Sequence, residues 1–492
     1  MAKPTARARR STLGSGLLTA FSTAVVTVAA AAIGIVVARE FGRGIETDGF
    51  FAAYGVFLVL GLAATAMRVA VLPTLARARG EGRFGAVFGS YALALAAVSL
   101  PLVAVAVLAG DAAASVLAGG LPETAQETAA EALAVLVPAA VLQLFAALAA
   151  SGLAAFDSYG TAAAGFAAGA VLGLALILWR ADDDGIVACA WGALLNGAVA
   201  LAVPLVALAL RAAWGRRGAL DPLARLGELV RAAALPLALQ VLFVVCLRFA
   251  GALETGAVTS FTYAYFLAAA LVGVTASSLG MVSSVPLARS SLSPERATRH
   301  VVSTSLVSFA AVGAAAGVFA LVGDRIVRAA LGPAYAGEPG SEVGRLVVLL
   351  GPWMAASIGV TITFPMLFVA ARERRLPLLA VAVVLLHVAI AWAAVDAFGL
   401  EGAALALTVT TALVLAVLLA ELSPRVLAES GRGLLAGAAV VAAVAALAFG
   451  APAALLPAVA AAALGLAAFG ALLLALRGLG LRQAWGYLRT LD

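Results

Sequence analysis

The chain has 492 residues, of which 64% are apolar and 11% are charged, and its mean hydropathy is +1.10. This balance excludes a soluble protein, whose surface needs far more polar side chains. The continuous apolar runs exclude a membrane β-barrel, whose strands alternate in polarity. The net charge of +6 is small. We therefore expect an all-α integral membrane protein without a separate catalytic domain.

Apolar segments follow one another along the chain, each bounded by charges or by glycine and proline. A bilayer core requires about 20 apolar residues per helical span. A cleaved signal peptide is the less favoured interpretation of the first segment, which is longer than a typical signal-peptide core. The fourteen predicted spans are 15–38, 50–75, 86–109, 129–150, 158–179, 186–210, 232–253, 258–285, 301–322, 343–370, 376–395, 400–421, 433–450 and 452–476.

The placement of arginine predicts the orientation of these spans. With the N-terminus inside, the inner loops and tails hold 23 of the 31 basic residues, and the outer loops hold six. Because short cytoplasmic loops are enriched in Lys and Arg, this bias predicts an even number of spans and two cytoplasmic termini. The arginine- and alanine-rich composition suggests a GC-rich bacterial genome. We therefore expect a multi-pass protein of the bacterial inner, cytoplasmic membrane.

Two parts of the chain share local patterns at a constant offset of 213 or 214 residues, which indicates an internal repeat of six spans. Because six is even, both copies enter the membrane in the same direction, and an axis along the membrane normal would relate them. Such halves enclose a central cavity. Three pairs carry the offset: Pro73 and Pro286, Trp179 and Trp392, Gly185 and Gly399.

The repeat predicts four parts of the chain. A cytoplasmic basic tail (1–14) precedes an N-lobe of spans 1–6 (15–215). A C-lobe of spans 7–12 (216–425) follows, and spans 13 and 14 with a cytoplasmic tail (426–492) lie outside the repeat. The expected fold is therefore two pseudo-symmetric six-helix lobes around a central cavity, with two extra C-terminal helices.

The residues that could perform catalysis are few. The two histidines and two cysteines cannot form a metal cluster or a disulfide framework. No phosphate-binding Gly-Lys-Ser/Thr loop occurs, and no nucleophile, base and acid can be combined. We therefore predict no catalytic residue, no metal and no cofactor, and we do not expect an enzyme.

Charges inside spans are candidates for function, because each costs about 2.5–3.5 kcal/mol at the centre of a span. Arg68 lies in span 2 and Arg248 in span 7, and the two guanidinium groups could bind an anion such as a diphosphate. The alternative is that each reaches an interface or forms a structural pair. For Arg248 the nearby Glu254 favours such a pair.

Other polar and basic groups favour structural roles. Buried amides usually join helices by hydrogen bonds, and basic segments with interleaved aromatic residues are typical of anchors at the cytoplasmic leaflet. Nucleic acid is not needed to explain them. These groups are Gln143, Asn196 and Gln240, Asp157, His387, and the segments 211–231 and 477–492.

The segment from Val37 to Tyr54 reads Val-Ala-Arg-Glu-Phe-Gly-Arg-Gly-Ile-Glu-Thr-Asp-Gly-Phe-Phe-Ala-Ala-Tyr. It resembles the first-loop motif of the MviN/MurJ lipid II flippases, Ala-Arg-x-Phe-Gly…Thr-Asp-Ala-Phe-Phe. Their superfamily also includes polysaccharide-lipid exporters and multidrug/toxin extruders. Residues of span 8, Tyr263-Ala264 and Gly273-Val274, and Pro286 to Arg289 at its end, also look like the family pattern. The resemblance covers essentially the whole chain and the same arrangement of fourteen spans.

This resemblance implies a flippase that moves a polyprenyl-diphosphate-linked glycan from the inner to the outer leaflet by alternating access. Such activity belongs to peptidoglycan biosynthesis or polysaccharide export. By resemblance, Arg39 and Asp48 occupy motif positions at the outer end of the cavity. With Arg68 and Arg248 they form the predicted substrate-binding set. The implied partners are the lipid-linked glycan, membrane lipids and proteins of cell-envelope synthesis.

The chain departs from the family pattern at three cavity positions. An Arg-Asp pair of the family falls on Ile33-Gly34, and two further arginines fall near Gly61 and on Phe266. In the family these arginines are tied to the diphosphate of lipid II. The resemblance therefore leaves open whether the glycan is that of lipid II or a related one.

Three other functions remain open from the sequence. A cation-coupled multidrug/toxin antiporter of the same superfamily should carry a carboxylate near mid-span. A membrane-embedded enzyme of envelope synthesis would need an acid/base cluster on a loop, and only Asp182-Asp183-Asp184 offers one. A scaffold without transport activity would need neither.

Overall fold

The computed structural model describes residues 22, 25–211, 214, 218–277, 293–370 and 372–475. Helices account for nearly all of these residues, and no strand occurs among them. Long apolar runs of Ala, Leu and Val favour helix in lipid, because a helix satisfies its backbone hydrogen bonds internally. Three helices begin with a side-chain cap, in which Asp221, Ser293 and Ser423 accept hydrogen bonds from backbone N–H groups three residues on.

The chain divides into two compact units, one ending at Gly256 and the other beginning at Ala257. The described helices of the first unit are α1 (25–36), which continues into a π-helical turn at Val37–Phe41, α2 (Ile45–Gly80), α3 (Phe84–Leu108), α4 (Gly110–Ala118), α5 (Glu123–Ala155), α6 (Tyr159–Asp184), α7 (Ala188–Arg211) and α8 (Pro222–Ala250).

Helix α5 is the centre of the first unit and packs against α2, α3, α4, α6 and α7. Its core-facing side chains meet α2 and α3 in an apolar cluster that includes Met67, Leu75, Phe84 and Leu148, each at most 2% exposed. Helix α8 also packs against α2 and α3. The first helix of the predicted C-lobe thus belongs to the first compact unit, and the lobe boundaries remain predictions.

The second unit contains the rest of the described helices. Its core joins α10 to α11, α14 and α15, and α12 to α13. Glycines allow these helices to approach closely; a side chain at Gly317 would overlap Phe449 of α14. The helices are α9 (Ala257–Val272), which continues into a π-helical turn at Gly273–Ser277, α10 (Pro294–Leu331), α11 (Glu338–Leu349), α12 (Gly351–Val369), α13 (Leu376–Leu422), α14 (Pro424–Ala453) and α15 (Ala458–Ala475).

Among the described residues, ten helices are long and apolar enough to cross a membrane, or eleven if α11 and α12, which meet at 45°, form one span. Two of the ten are too long for one crossing. Helix α13 has 47 residues, or about 70 Å at 1.5 Å per residue, and it turns at Gly399. The run Tyr159–Arg211 turns at Gly185. Ten or eleven helices are thus consistent with fourteen spans, a number that remains a prediction.

The backbone repeats its irregular points at the predicted offset. Gly185 has φ 55° and ψ −143°, and Gly399, 214 residues later, has φ 59° and ψ −139°. Ala109 has φ −134° and ψ 36°, and Val322, 213 residues later, has φ −134° and ψ 17°. Equal distortions at one offset are expected of two copies of one helical unit. These landmarks support the repeat that the sequence predicted.

Several predictions concern residues outside the described ranges. These are the N-terminal tail, the beginning of span 1, the inner end of span 8 with Pro286, and the C-terminal tail. The boundary between spans 13 and 14 differs from the prediction, because α14 runs through Gly450 and Pro452 to Ala453. Proline at this point lies in the last turn of the helix, so it interrupts little of the hydrogen-bond ladder.

Candidate functional site

The motif between α1 and α2 begins with a π-helical turn, Val37–Phe41, that ends at Gly42 with φ 63°. Single π-helical turns often occur at functional sites. Arg39 lies on this turn with an exposed side chain. The hydroxyl of Thr47 donates to the Phe41 carbonyl at 3.4 Å, which holds the start of α2 against the turn. The motif is therefore an ordered corner between α1 and α2.

Asp48 and Arg43 both contact the turn between α8 and α9. The Asp48 side chain is fully buried, and its Oδ2 accepts a hydrogen bond from the Gly256 N–H at 2.5 Å. Arg43 Nε donates to the Gly256 carbonyl at 3.1 Å, and the guanidinium pairs with Glu254 at 3.2 Å. Gly256 has φ 86°. Two charged side chains thus hold both backbone polar groups of one glycine.

Arg248 lies in the last turn of α8. Its Nε donates to the Val116 carbonyl of α4 at 3.0 Å. Glu254, the partner that the sequence favoured for this arginine, pairs with Arg43 instead. Arg248 therefore joins α8 to α4 through a backbone carbonyl, and its predicted role in substrate binding stays a prediction.

Arg68 lies about 30 Å along α2 from Asp48, at 1.5 Å per residue, so the four predicted site residues do not form one cluster. Its side chain is exposed, whereas the neighbouring Met67 and Val71 are buried in the core of the first unit. Within the described part of the chain, Arg68 makes no hydrogen bond or ion pair. It follows Gly61 by two helical turns, so both lie on one face of α2.

The three positions that depart from the family pattern lie on described helices. A Cβ atom added at Gly34 or Gly61 would meet no atom within 4 Å. Phe266 on α9 is partly buried. Among the described residues there is therefore room for a Cβ atom at two positions that carry arginine or its acidic partner in the family pattern, and glycine occupies both here.

A second polar cluster, near the N-terminal ends of α3 and α8, was not predicted from the sequence. The Tyr91 hydroxyl donates to Glu228, and Arg225 pairs with Glu228 at 2.5 Å. The Arg225 guanidinium lies over the Tyr91 ring at 5.5 Å from its centroid. The i, i+3 spacing of Arg225 and Glu228 was the available signal, but nothing in the sequence indicated that α3 supplies the tyrosine.

Three other polar residues have structural partners. His387 Nδ1 and Thr410 Oγ1, both buried, lie 2.8 Å apart between the two halves of α13. Asp157 pairs with Arg79 at 3.1 Å, and Asp184 pairs with Arg180 at 2.6 Å. Among the described residues, no group of His, Cys, Asp and Glu could hold a metal ion.

The profile of the family described as "Lipid II flippase MurJ" matches residues 37–469 of this chain. No curated relative matches the chain in sequence.

Among solved structures, "Lipid II flippase MurJ, inward closed conformation" is similar with a TM-score of 0.68 and 12% identity, over 93% of this chain and 98% of that one. An inward-facing multidrug resistance MATE family transporter of the MOP superfamily is similar with a TM-score of 0.61 and 18% identity, over 85% and 95%. A MOP superfamily transporter from Pyrococcus furiosus, with reverse polarity of its binding pocket, has a TM-score of 0.55 and 17% identity, over 88% and 96%. At these identities the solved structures show a shared fold.

Proposed function

Because the chain belongs to the lipid II flippase MurJ family, we propose that it moves a polyprenyl-diphosphate-linked glycan precursor, of the lipid II type, across a bacterial cytoplasmic membrane. The family match over residues 37–469 carries this proposal. It includes the first-loop motif and every helix from α2 to α14. The shared fold with the inward closed MurJ structure supports it.

The physical task is to carry an ionised sugar-diphosphate across hydrocarbon. Burying an isolated ion costs tens of kcal/mol in the Born limit, so the headgroup needs a polar passage. The prenyl tail has no such barrier and can stay in lipid. An inside-negative membrane potential of 100 mV is worth about 2.3 kcal/mol per charge, so outward movement of two negative charges gains roughly 4–5 kcal/mol.

Arg68 is the residue we propose for binding the diphosphate inside the membrane. A guanidinium pairs with two phosphate oxygens at once, which makes it better suited than a point charge. Its side chain is exposed, it lies on the face of α2 that carries Gly61, and it has no protein partner in the described ranges. In the family an arginine lies near the position of Gly61. We propose that Arg68, which lies two helical turns further along α2 towards its inner end, supplies that positive charge instead.

The other three residues of the predicted substrate-binding set have different proposed roles from that of Arg68. Arg39 is exposed on the outer corner and can meet the headgroup as it leaves. Arg248 is placed at the same side, where its Nε already donates to Val116. The buried carboxylate of Asp48 would repel a diphosphate, and its hydrogen bond to Gly256 supports a role in positioning the outer turn.

The test uses purified protein in vesicles loaded with a fluorescent lipid-linked diphosphate glycan. We expect the protein to move this lipid to the opposite leaflet, and vesicles without protein to leave it in place. The MATE neighbours suggest a cation-coupled extruder as the rival, so the same vesicles receive a cationic dye under a proton or sodium gradient. Dye extrusion without lipid movement would contradict the proposal.

A second arm separates lipid carriers by headgroup. We expect movement of the diphosphate-linked glycan and no movement of the uncharged prenyl alcohol. In cells, depletion of the protein should cause the same lipid-linked intermediate to accumulate. Accumulation of a different product, such as an unacylated or unglycosylated precursor, would instead indicate an enzyme or a scaffold of envelope synthesis.

A further inference from the structure

Two arginines from neighbouring helices hold the turn between α5 and α6. Arg79, next to the last residue of α2, donates from Nη1 to the Ala155 carbonyl at 2.6 Å and to Asp157 at 3.1 Å. Arg211, the last residue of α7, donates from Nη1 to the Ser158 hydroxyl. Both guanidinium groups therefore lie at one end of the first unit, where the ends of α2, α5 and α7 meet the beginning of α6.

Each of these two guanidinium groups leaves one edge available to a ligand. Within the part of the chain that the structure describes, Arg79 and Arg211 form hydrogen bonds through Nη1 only, so their Nε and Nη2 atoms have no acceptor there. Two donors on one edge can pair with two oxygens of a phosphate at once. In Arg180 the same edge is occupied, because its Nε and Nη2 donate to the Asp184 carboxylate at 2.7 and 2.6 Å.

Aromatic rings lie beside the two arginines. The Arg79 guanidinium is over the Phe156 ring, 4.7 Å from its centroid, and the centroids of Phe156 and Phe84 are 4.9 Å apart. Trp214 packs against Phe84 and Phe88, with centroid distances of 5.7 and 5.6 Å, and it is 39% exposed. Tryptophan is enriched where a membrane meets water, because its ring is apolar and its N–H is polar. The arginines and the rings therefore suit the headgroup and the upper acyl chains of a phospholipid.

We propose that Arg79 and Arg211 bind the phosphate of an anionic phospholipid, of the phosphatidylglycerol type, whose acyl chains lie along Phe88 and Trp214. The positive-inside bias predicts that this end of the unit faces the cytoplasmic leaflet, where anionic lipids attract basic residues. The site goes beyond the membrane anchor that the sequence favours for 211–231, because α2 and the turn between α5 and α6 supply the other half of it. It is independent of the proposed function.

Charge gives this site its preference among lipids. A phosphatidylglycerol headgroup has a net negative charge, whereas phosphatidylcholine also carries an ammonium group that the arginines repel. Each arginine near an anionic lipid contributes about fivefold in affinity. The Asp157 carboxylate, whose side chain is 82% exposed, opposes the anion, and its exposed ion pair with Arg79 contributes little to stability.

Native mass spectrometry of the full-length protein in a neutral detergent, titrated with either lipid, tests the site. We expect tighter binding of phosphatidylglycerol than of phosphatidylcholine. The double variant Arg79→Gln, Arg211→Gln should bind phosphatidylglycerol about 25-fold more weakly, at fivefold for each charge. Arg180→Gln is the matched control, because the free edge is missing there, and it should bind both lipids as the native protein does.

Asp157→Asn gives a second measurement that does not require the loss of an arginine, in case the double variant fails to fold. Asp157 has φ 59°, a backbone region that asparagine adopts more readily than most residues. Removal of the carboxylate should tighten phosphatidylglycerol binding by about fivefold. If the arginines only held the turn, this gain would not occur. Equal affinity of the native protein for the two lipids, or native phosphatidylglycerol affinity in both the double variant and Asp157→Asn, would overturn the site.

Polyprenyl diphosphate offers the same phosphate chemistry and serves as the competing ligand. We expect phosphatidylglycerol to stay bound to the native protein when polyprenyl diphosphate is added at equal concentration. Displacement of phosphatidylglycerol would assign the two arginines to a diphosphate headgroup and would overturn the assignment to a phospholipid.

Discussion

Several arginine side chains in the described part of the chain hold the backbone of a neighbouring element, and Arg68 is not one of them. Arg43, Arg79 and Arg248 each donate to a backbone carbonyl of a neighbouring turn, at 3.1, 2.6 and 3.0 Å. Such contacts join helices and offset the cost of the charge. Arg68 has no such bond within the described residues, so no hydrogen bond from them offsets its cost in the membrane, about 2.5–3.5 kcal/mol at the centre of a span. An anionic ligand would supply that compensation.

Replacing Arg68 with alanine should weaken binding of polyprenyl diphosphate. A hydrogen bond to a charged group contributes about 1.5–3 kcal/mol, so we expect roughly 10- to 150-fold weaker binding. Arg68→Lys should retain part of the affinity, because it keeps the charge but not the planar pair of donors. Binding is measured with a fluorescent polyprenyl diphosphate in detergent.

Arg345→Ala is the control for this measurement. Arg345 is an exposed arginine that pairs with Glu401 at 3.1 Å, and its side chain is 63% exposed. We expect its variant to bind the ligand as the native protein does. Native affinity in Arg68→Ala would show that the diphosphate does not bind at this position.

Helix boundaries in this fold are set by glycine as much as by polar loops. A helix of 47 residues, about 70 Å long, exceeds a hydrocarbon core of about 30 Å more than twofold. Helix α13 therefore turns at Gly399 instead of leaving the membrane through a long loop. Its φ of 59° and ψ of −139° lie where other residues are strained. Gly185 has the same role in the first unit.

Alanine at Gly399 should destabilise the protein by about 1–3 kcal/mol, the usual cost of a strained backbone position. Space does not contribute, because a Cβ atom at Gly399 would meet nothing within 4 Å. Gly431→Ala is the matched control: it has equal space and lies inside α14, where alanine favours helix by up to about 1 kcal/mol. In thermal unfolding in detergent, we expect the midpoint of Gly399→Ala to lie below that of the native protein. The midpoint of Gly431→Ala should equal or exceed the native value. Equal midpoints for the two variants would contradict this explanation.

At the scale of the whole chain, the positions of the charges predict the side of the membrane, and the local backbone distortions follow the predicted repeat. The positive-inside bias predicts that the loop after α2 is cytoplasmic and that the turn after α6 is external. The repeated glycines at 185 and 399 then lie on the same side, because an even number of spans separates them. The predicted orientation and the predicted repeat therefore agree about the side of the membrane on which these two glycines lie.

Single cysteines test this orientation in intact cells, in protein whose Cys189 and Cys246 are replaced by alanine. We expect an impermeant maleimide to label Asp182→Cys directly and Glu81→Cys only after the membrane is permeabilised. Both native side chains are exposed, so access to the reagent depends on the side of the membrane. Labelling of Glu81→Cys in intact cells would reverse the predicted topology.

The sequence by itself determined the fold class and the helical segments, because hydropathy is a local property, and it predicted the repeat from the spacing of glycine, proline and tryptophan. It also predicted the family, which the comparison over residues 37–469 confirms. Most predicted spans from the second onward fall on described helices, although the end of span 8 lies outside the described residues and span 10 falls on the bent pair α11 and α12. A boundary error lies at the end of α14. A proline in a last helical turn looks in sequence like a break between helices.

Only the tertiary structure decided the partners of the charged residues. Arg43 was one basic residue of an outer loop, and Gly256 was 213 positions away, until the fold brought their atoms to 3.1 Å. Tyr91 and Glu228 meet in the same way across 137 residues. Such contacts depend on how helices pack, whereas hydropathy reports only whether each helix prefers lipid to water.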